Sequence, residues 1–430
     1  MKKIIAMGAA VALAASMFAA EPAANAAVTE FTGNASVEWG VDLDTNKTGF
    51  KNSTESNLKF KLFDGGSKST EGSGIWAELK IKSANDWGPA WKAENGGCSV
   101  QGAVVDTAKI HFDNFYVGIL SGDTQTGELK LTRAIKSGDN DNGKLLDNVG
   151  PLYYTQGIVA GYDDSNFGVA VDFRSRKGNS ETDSTKDPKY DGTQYTNDYA
   201  IAAEATLKDS NEYLSGLEVK GGYSYEFAEH PVMGYSGSVA YKAKVSGDYY
   251  LKPAFGYTGQ SNNGTTTVNK IAGAVIFGWG DTADANAGVY FLDDDAAKKV
   301  TPGVSVSYVK DFEVDANNGE IEAAFYLGNL VENLKAAAWF GTSLVKEGDT
   351  PIKVLAGCAY DVKVDEITIT PKAGISFANK AAGDEIKVKA GVDVAGLINN
   401  TTFYAVYASG NFKADPVEKG TVNVGCKIAF

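Results

Sequence analysis

Cysteine, histidine and arginine are scarce in this chain of 430 residues, which has 3 Cys and 2 His. Three cysteines that lie far apart give no disulfide framework. The histidines, His111 and His230, have no Cys or His neighbour at the spacing of metal ligands. The arginines are Arg133, Arg174 and Arg176. We therefore expect free thiols, no metal site and no cofactor.

Long apolar runs are also missing after residue 26, so the sequence predicts no transmembrane helix there. The apolar run that does exist lies at the N-terminus, over 4–20, behind the basic residues Lys2 and Lys3. It is followed by Ala24-Asn25-Ala26, which has the small residues that a signal peptidase requires. We predict that 1–26 is a signal peptide for Sec-dependent export and that the mature chain is 27–430.

Basic residues are outnumbered, with 40 Lys and Arg against 54 Asp and Glu. A net negative field repels polyanions, which argues against a nucleic-acid partner. No Gly-x-Ser-x-Gly elbow precedes a helical pattern, and Gly138–Leu145 matches a phosphate loop except at Leu145, where Ser or Thr is required. We expect no enzyme. We interpret that segment and Asp293–Asp295 as solvated acidic loops, with cation binding as the alternative.

What the sequence has in abundance is alternation of apolar and polar residues. From Phe31 to Leu43 every second residue is apolar or small, and the intervening residues are mostly polar. A run this long exceeds the usual soluble strand of about 5–6 residues and reaches the roughly 9–11 of a membrane-crossing strand. The pattern recurs over 217–227, 235–245 and 386–394. It predicts an all-β fold, a single closed antiparallel transmembrane barrel.

The strand number follows from the same pattern. Roughly 21 segments qualify, among them 287–292, but bacterial barrels of this kind have even numbers, so we predict about 18–20 strands. Connections alternate long and short, and in such barrels the long ones face outward. The predicted tight turns are 113–114 and 163–166, and the predicted cell-surface loops are 44–57, 83–102, 121–151 and 174–198.

Three segments carry a family resemblance. Gly33–Asp42 (GNASVEWGVD), Thr48–Asn52 (TGFKN) and Ser73–Lys80 (SGIWAELK) resemble the opening of the treponemal major outer sheath protein and Tpr family. The final strand ends at Phe430, which resembles the C-terminal strand that barrel-assembly machinery recognises in outer-membrane proteins.

The resemblance implies a bacterial outer-membrane porin and surface antigen. It further implies a homo-oligomer, a trimer being one form, and loops that contact host or neighbouring cells, with host extracellular-matrix proteins as candidate partners. It also offers an alternative division of the chain, a periplasmic region over 27–200 and a barrel over 201–430.

The functional hypothesis is a porin through which small hydrophilic solutes diffuse, surrounded by outer-membrane lipid. The alternatives are an adhesin or sheath protein built on a plugged barrel, and a soluble array of β-sandwiches. Because the pore-lining candidates are mixed in sign, we predict weak ion selectivity. The candidates occupy the polar phase of their strands: Glu38, Lys59, Lys61, Glu78, Lys80, Lys82, Glu218, Lys220, Glu226, Lys242, Lys244, Lys387, Lys389 and Asp393.

Overall fold

The computed structural model describes residues 27–64, 75–87, 98–120, 154–176, 199–227, 231–247, 249–279, 302–315, 317–327, 330–379 and 383–430. The regular elements in these ranges are β-strands. Within them no helix is long and apolar enough to cross a bilayer. The predicted signal peptide lies outside the described residues.

The first half of the chain contributes eleven strand segments, several of which exceed the length usual in soluble proteins. They are β1 (Ala27–Asp42), β2 (Thr48–Asp64), β3 (Ile75–Trp87), β4 (Cys98–Phe112), β5 (Phe115–Leu120), β6 (Tyr154–Asp163), β7 (Phe167–Arg176), β8 (Tyr199–Leu207), β9 (Leu217–Phe227), β10 (Val232–Tyr241) and β11 (Ala243–Ser246).

The second half contributes eleven more. They are β12 (Tyr249–Asn262), β13 (Thr265–Trp279), β14 (Gly303–Asp311), β15 (Asn317–Tyr326), β16 (Leu334–Val345), β17 (Ile352–Tyr360), β18 (Val362–Val364), β19 (Ile367–Ala378), β20 (Glu385–Ile398), β21 (Thr401–Ala408) and β22 (Thr421–Ala429).

These segments form one closed ring of antiparallel strands. Consecutive segments pair with one another except β10 with β11 and β17 with β18, and β22 pairs with β1, with Asn34 opposite Ala429 and Asp42 opposite Thr421. Segments β10 and β11 both pair with β12, and β17 and β18 both pair with β19. Each of these two pairs is therefore one interrupted strand, and the ring has 20 strands. The predicted barrel of about 18–20 strands is confirmed.

Side chains are distributed inside-out relative to a soluble protein. On β7, Val169, Val171 and Phe173 are 42%, 42% and 44% exposed, whereas the alternating Asp172 and Arg174 are 1% and 3% exposed. The apolar row faces outward and the charged row faces the enclosed interior. A soluble sandwich buries its apolar rows, so that alternative is wrong. Closure leaves no unpaired strand edge, as a lipid environment requires.

Aromatic rings on one strand cover glycines on the next. A β-carbon at Gly425 would lie 2.7 Å from the Tyr404 ring, and one at Gly278 would collide with the hydroxyl of Tyr250. Only glycine lets the ring lie flat across the neighbouring strand. Such ring-over-glycine pairs help to fix strand register in curved sheets.

Short and long connections occur on both rims of the barrel. The rim that holds Ala27 and Phe430, called here the rim of the chain ends, carries the short turns 113–114, 164–166, 365–366 and 399–400 and the longer connections 208–216 and 280–302, whereas 263–264 is a short turn on the opposite rim. Asp113 there adopts a φ of 53°, which Asp and Asn tolerate in tight turns. The predicted turn at 113–114 lies between β4 and β5, and the one predicted at 163–166 lies between β6 and β7.

The opposite rim joins the strands on either side of the predicted long loops, whose bounds need correction. The loop predicted over 44–57 is short, because β2 begins at Thr48. The loop predicted over 83–102 shortens to 88–97, and the one over 174–198 shortens to 177–198. The loop predicted over 121–151 lengthens to 121–153. These three segments lie outside the described residues. The predicted strand 287–292 also lies outside them, and β13 pairs directly with β14.

Candidate functional site: the interior wall of the barrel

The interior wall carries the charged rows that the sequence singled out. Strand register places ten of the candidates on inward rows. Their exposure differs: Glu38 is half-buried, whereas Lys244 is exposed at the rim of the chain ends. Glu226 and Asp393 are the most enclosed, at 8% and 6% exposure. The other eight of these ten are Glu38, Lys80, Glu218, Lys220, Lys242, Lys244, Lys387 and Lys389. The side chains of Lys59, Lys61, Glu78 and Lys82 lie outside the described residues.

A row of polar groups crosses the seam where the barrel closes. Register aligns Asp393 with Tyr404, Tyr404 with Gly425, and Gly425 with Glu38. The Tyr404 hydroxyl donates to Glu38 Oε2 at 3.0 Å, reaching from β21 across β22 to β1. The ring passes over Gly425, the position where a side chain would block it. The predicted candidate Glu38 therefore links the first strand to the last two.

Ion pairs hold the neighbouring wall segment. Lys372 on β19 lies 2.5 Å from Asp393 on β20, and the two side chains are 5% and 8% exposed. One step along the ring, Lys335 Nζ lies 3.0 Å from Asp361, which also accepts from the Thr370 hydroxyl at 2.7 Å. Asp361 occupies the interruption between β17 and β18, so this break in the strand brings a carboxylate to the lysine. Opposite charges in this segment therefore compensate locally.

A second charged cluster lies at the rim of the chain ends. Glu218 lies 3.2 Å from Lys220 on its own strand and 3.8 Å from Lys252 on β12. Lys252 also approaches Asp209, in the β8–β9 turn, at 4.0 Å. Lys252 thus bridges two carboxylates from different elements. The two candidates predicted on β9, Glu218 and Lys220, are brought together in this cluster.

The sequence-based selection missed several interior charges. Arg174 Nη2 lies 2.5 Å from Asp172 on the same strand, and the side chains are 3% and 0% exposed. Both residues lie on the polar row of β7, from which no candidate was selected. Lys252, Lys335 and Lys372 were missed because each is the only charged residue of its strand.

Other chemistry receives little support from the described part of the chain. It contains no cluster of three or more His, Cys, Asp or Glu able to hold a metal ion. Cys358 and Cys426 are free thiols there, on outward rows among apolar neighbours. The acidic segments considered for cation binding, Gly138–Leu145 and Asp293–Asp295, lie outside the described residues.

This chain is similar in sequence to known membrane and surface proteins. It is 30% identical to the major outer membrane protein MspA of Treponema maltophilum, with 100% of both chains covered. It is 27% identical to the major surface protein MspTL of Treponema lecithinolyticum, covering 99% of this chain and 96% of that one. The chain belongs to the treponemal major outer-membrane and surface protein family. The resemblance in the opening strands is thereby confirmed over the whole chain.

Solved structures are much less similar to this chain than these two relatives are. No family model matches the chain. Among solved structures, Pseudomonas aeruginosa OccK8 (OprE) aligns with a TM-score of 0.41 and 11% identity, covering 94% of this chain and 98% of that one. A mutant of the Rh. blastica porin aligns with a TM-score of 0.37 and 13% identity, covering 93% and 99%. The assignment of a barrel rests on this chain's own strand pairings.

Proposed function

We propose that this member of the treponemal family is an outer-membrane porin that lets small hydrophilic solutes diffuse passively. The observation that carries the proposal is the inside-out wall, with outward apolar rows such as Val169, Val171 and Phe173 and inward charges such as Asp172 and Arg174. A bilayer matches the first surface and a polar solute path matches the second. Diffusion needs no catalytic residue, and the names of both relatives describe membrane or surface proteins.

The size of the ring supports an open path. In the described residues the extensive backbone contacts join strands that are neighbours in the ring, and no strand packs across the interior. Barrels of about 8 strands are filled by their side chains, whereas those of 16–18 strands leave an aqueous channel. A ring of 20 strands lies beyond that range.

Weak ion selectivity remains our prediction for this path. The inner-wall charges described above occur in compensated groups, namely Arg174 with Asp172, Lys372 with Asp393, and Lys335 with Asp361. A compensated pair contributes a short-range dipole instead of a net charge, and salt screens it within about 10 Å. The candidate residues, with charges of both signs, would act in the same way.

Planar-bilayer recording of the detergent-purified mature protein tests the proposal. We expect discrete conductance steps and a reversal potential near zero in a tenfold KCl gradient, where an ideally selective pore gives about 59 mV. Protein denatured in the same detergent is the control and should give no steps. Absence of steps from folded protein would refute the porin function, and a reversal potential near the ideal limit would refute weak selectivity.

The proposed arrangement is Sec-dependent export, removal of 1–26 and a single barrel over 27–430. Pairing of β1 with β22 supports one barrel against a division at residue 200. The rim opposite the chain ends would face outward, with 121–153 and 177–198 at the cell surface. Trypsin cleavage within 121–153 on intact cells is the expected result, and protection there would reverse the orientation.

An adhesin or sheath role is the second candidate, favoured by the name of one relative, the major surface protein MspTL. Deletion of residues 125–149 separates the two roles. An adhesin loses binding to immobilised host matrix proteins while its conductance persists. If the deletion leaves matrix binding unchanged, segment 121–153 is not the binding element.

A further inference from the structure

Strand β9 carries a buried serine on the inner wall, near the rim opposite the chain ends. Tyr223 and Phe227 of this strand are exposed on the outer face, so Ser224, which alternates with them, faces the interior. Ser224 is 3% exposed, and its hydroxyl has no hydrogen-bond partner in the described part of the chain. A buried polar group without a protein partner is unfavourable, and a bound small molecule is one way to satisfy it.

The inner wall is shallow around this hydroxyl. Register pairs Ser224 with Ala202 on β8 and with Gly234 on β10. Along β9 itself, the neighbouring inward residues are Gly222 and Glu226. Three of the four nearest positions thus have no side chain beyond a β-carbon, so longer side chains from the surrounding positions can reach over the serine.

Acidic side chains predominate at these surrounding positions. Glu226 follows Ser224 on the inward row of β9 and is buried. Asp172, also buried, is aligned with Ala202 in the row that contains Ser224, and Glu204 is the next inward residue of β8. Arg174 is the basic group among the described side chains here, and it lies 2.5 Å from Asp172. Three carboxylates therefore surround the serine with one guanidinium, unlike the one-to-one ion pairs on β16–β20.

This combination of groups favours a primary ammonium ion as the ligand. Within the described residues no group of His, Cys, Asp or Glu is arranged to hold a metal ion. An excess of carboxylates repels anions. A primary ammonium has three donors and no acceptor, whereas a hydroxyl and ionised carboxylates supply acceptors. Hydrogen bonds between ionised partners are also about twice as strong as neutral ones.

We propose that Ser224, Glu226 and Asp172 bind the primary ammonium group of a small solute on the inner wall. The Ser224 hydroxyl accepts one N–H, and the two carboxylates accept the others. An ionised carboxylate has about four acceptor positions, so Asp172 can bind the solute while it remains paired with Arg174. Glu204 adds negative charge beside them.

The position of this ammonium site defines its role in passage. It lies close to one mouth of the proposed channel, so it would retain a cationic solute at the start or the end of its diffusion. The inference rests on the proposed porin function, because the solute has to enter the interior. Weak ion selectivity of the whole channel is compatible with it, since the site occupies one sector of the wall.

Ligand-observed NMR tests the site, with n-propylammonium as the probe. The mature protein in detergent is titrated with the probe, and the broadening of the probe's methyl signal is followed. We expect saturable broadening, none with n-propanol, which lacks the charge, and weaker binding of tetramethylammonium, which lacks N–H donors. Absence of saturable broadening with n-propylammonium, or equal binding of tetramethylammonium, would overturn the proposal.

Two variants and a matched control locate the binding. Ser224→Ala removes one acceptor and should weaken n-propylammonium binding about two- to tenfold. Glu226→Gln removes a charged acceptor and should weaken it about tenfold or more. The control is Ser376→Ala on β19, because Ser376 is also inward and 3% exposed but lies on a distant part of the ring. An unchanged affinity in Ser224→Ala, or an equal loss in Ser376→Ala, would refute the site.

Failure of this site is distinguishable from failure of the porin function. Binding is measured in detergent and needs no conducting pore, and bilayer recording of the same preparations reports conductance separately. A barrel that conducts without binding n-propylammonium refutes the ammonium site alone, whereas binding without conductance refutes the porin function alone. Circular dichroism checks folding, and Ser224→Ala should keep its strand content because its hydroxyl has no protein partner in the described residues.

Discussion

Replacing Lys372 tests whether the inner wall encloses its charges or leaves them in water. Lys372 and Asp393 lie 2.5 Å apart, with side chains 5% and 8% exposed. Removing one partner of such a buried pair leaves an uncompensated charge and costs about 3–5 kcal/mol. The same pair on a water-exposed surface would contribute only about 0.2–1 kcal/mol to the free energy of unfolding. Lys372→Met should therefore lower the free energy of unfolding by several kcal/mol.

A double-mutant cycle isolates the interaction. Lys372→Met with Asp393→Leu removes both charges and should return to within about 2 kcal/mol of the wild type, because apolar replacement of a buried pair is often neutral. The assay is urea unfolding of the detergent-refolded barrel, followed by tryptophan fluorescence. If Lys372→Met lowers the free energy of unfolding by less than about 1 kcal/mol, water reaches the pair. If the double variant is less stable than Lys372→Met, the two charges do not compensate each other.

Removing either charge of the Lys372–Asp393 pair changes the field inside the barrel, in opposite directions for the two residues. Lys372→Met leaves a negative charge at Asp393 and should move the reversal potential toward cation selectivity. Asp393→Asn should move it toward anions, and the double variant should match the wild type. If the two single variants moved it in the same direction, the change would reflect altered pore shape instead of the charge of this pair.

Three further predictions follow from other contacts. Tyr404→Phe removes the hydrogen bond to Glu38 and should cost about 0.5–1.5 kcal/mol in urea unfolding; an equal loss when Glu38→Leu, which has no acceptor, is already present would show that the bond does not contribute. Lys252→Met removes a positive charge from between Glu218 and Asp209 and should shift the reversal potential toward cations, whereas no shift would show that this cluster lies outside the conduction path. The backbone N–H of Phe167, donating to Asp164 in the exposed 164–166 turn, is the main cause that lowers the pKa of this carboxyl below its usual 3.8. Because the pKa of Asp164 is lower in the folded state, the ionised carboxylate stabilises this turn fully above the unfolded-state pKa, and that contribution is lost as the pH falls through the folded-state pKa. Hydrogen exchange of the Phe167 amide should therefore accelerate at that pH in the wild type relative to Asp164→Asn. Parallel exchange rates in the two proteins across the pH range would refute the linkage.

The sequence was sufficient to predict the barrel because its two faces meet different solvents. The uninterrupted alternation over β1, from Phe31 to Val41, predicts both the strand and which of its two rows of side chains faces outward. Strand number was harder to predict, since 287–292 shows a strand-like pattern between β13 and β14. Within the described ring, β13 pairs directly with β14, so this segment adds no strand between them.

The compensated charges of the interior could not be predicted from sequence. Alternation along β19 and along β20 assigns Lys372 and Asp393 to the polar rows of their strands, but it does not show that the two side chains meet. Their contact depends on the register between β19 and β20, which aligns Lys372 with Gly391 and Asp393 with Thr370. Register is fixed by the closed ring as a whole, so single-strand patterns identify lining residues without identifying their partners.

The error at β2 has a physical origin in the polarity of both its rows. A strand can be recognised in sequence when one row is apolar and the other polar, and 44–57 was predicted to be a loop because both rows of β2 are polar there. The segment from Thr48 onward is nevertheless a strand, because its backbone pairs with β1 on one side and with β3 on the other. Backbone pairing depends on the neighbouring strands, so the pattern of a single segment does not reveal it.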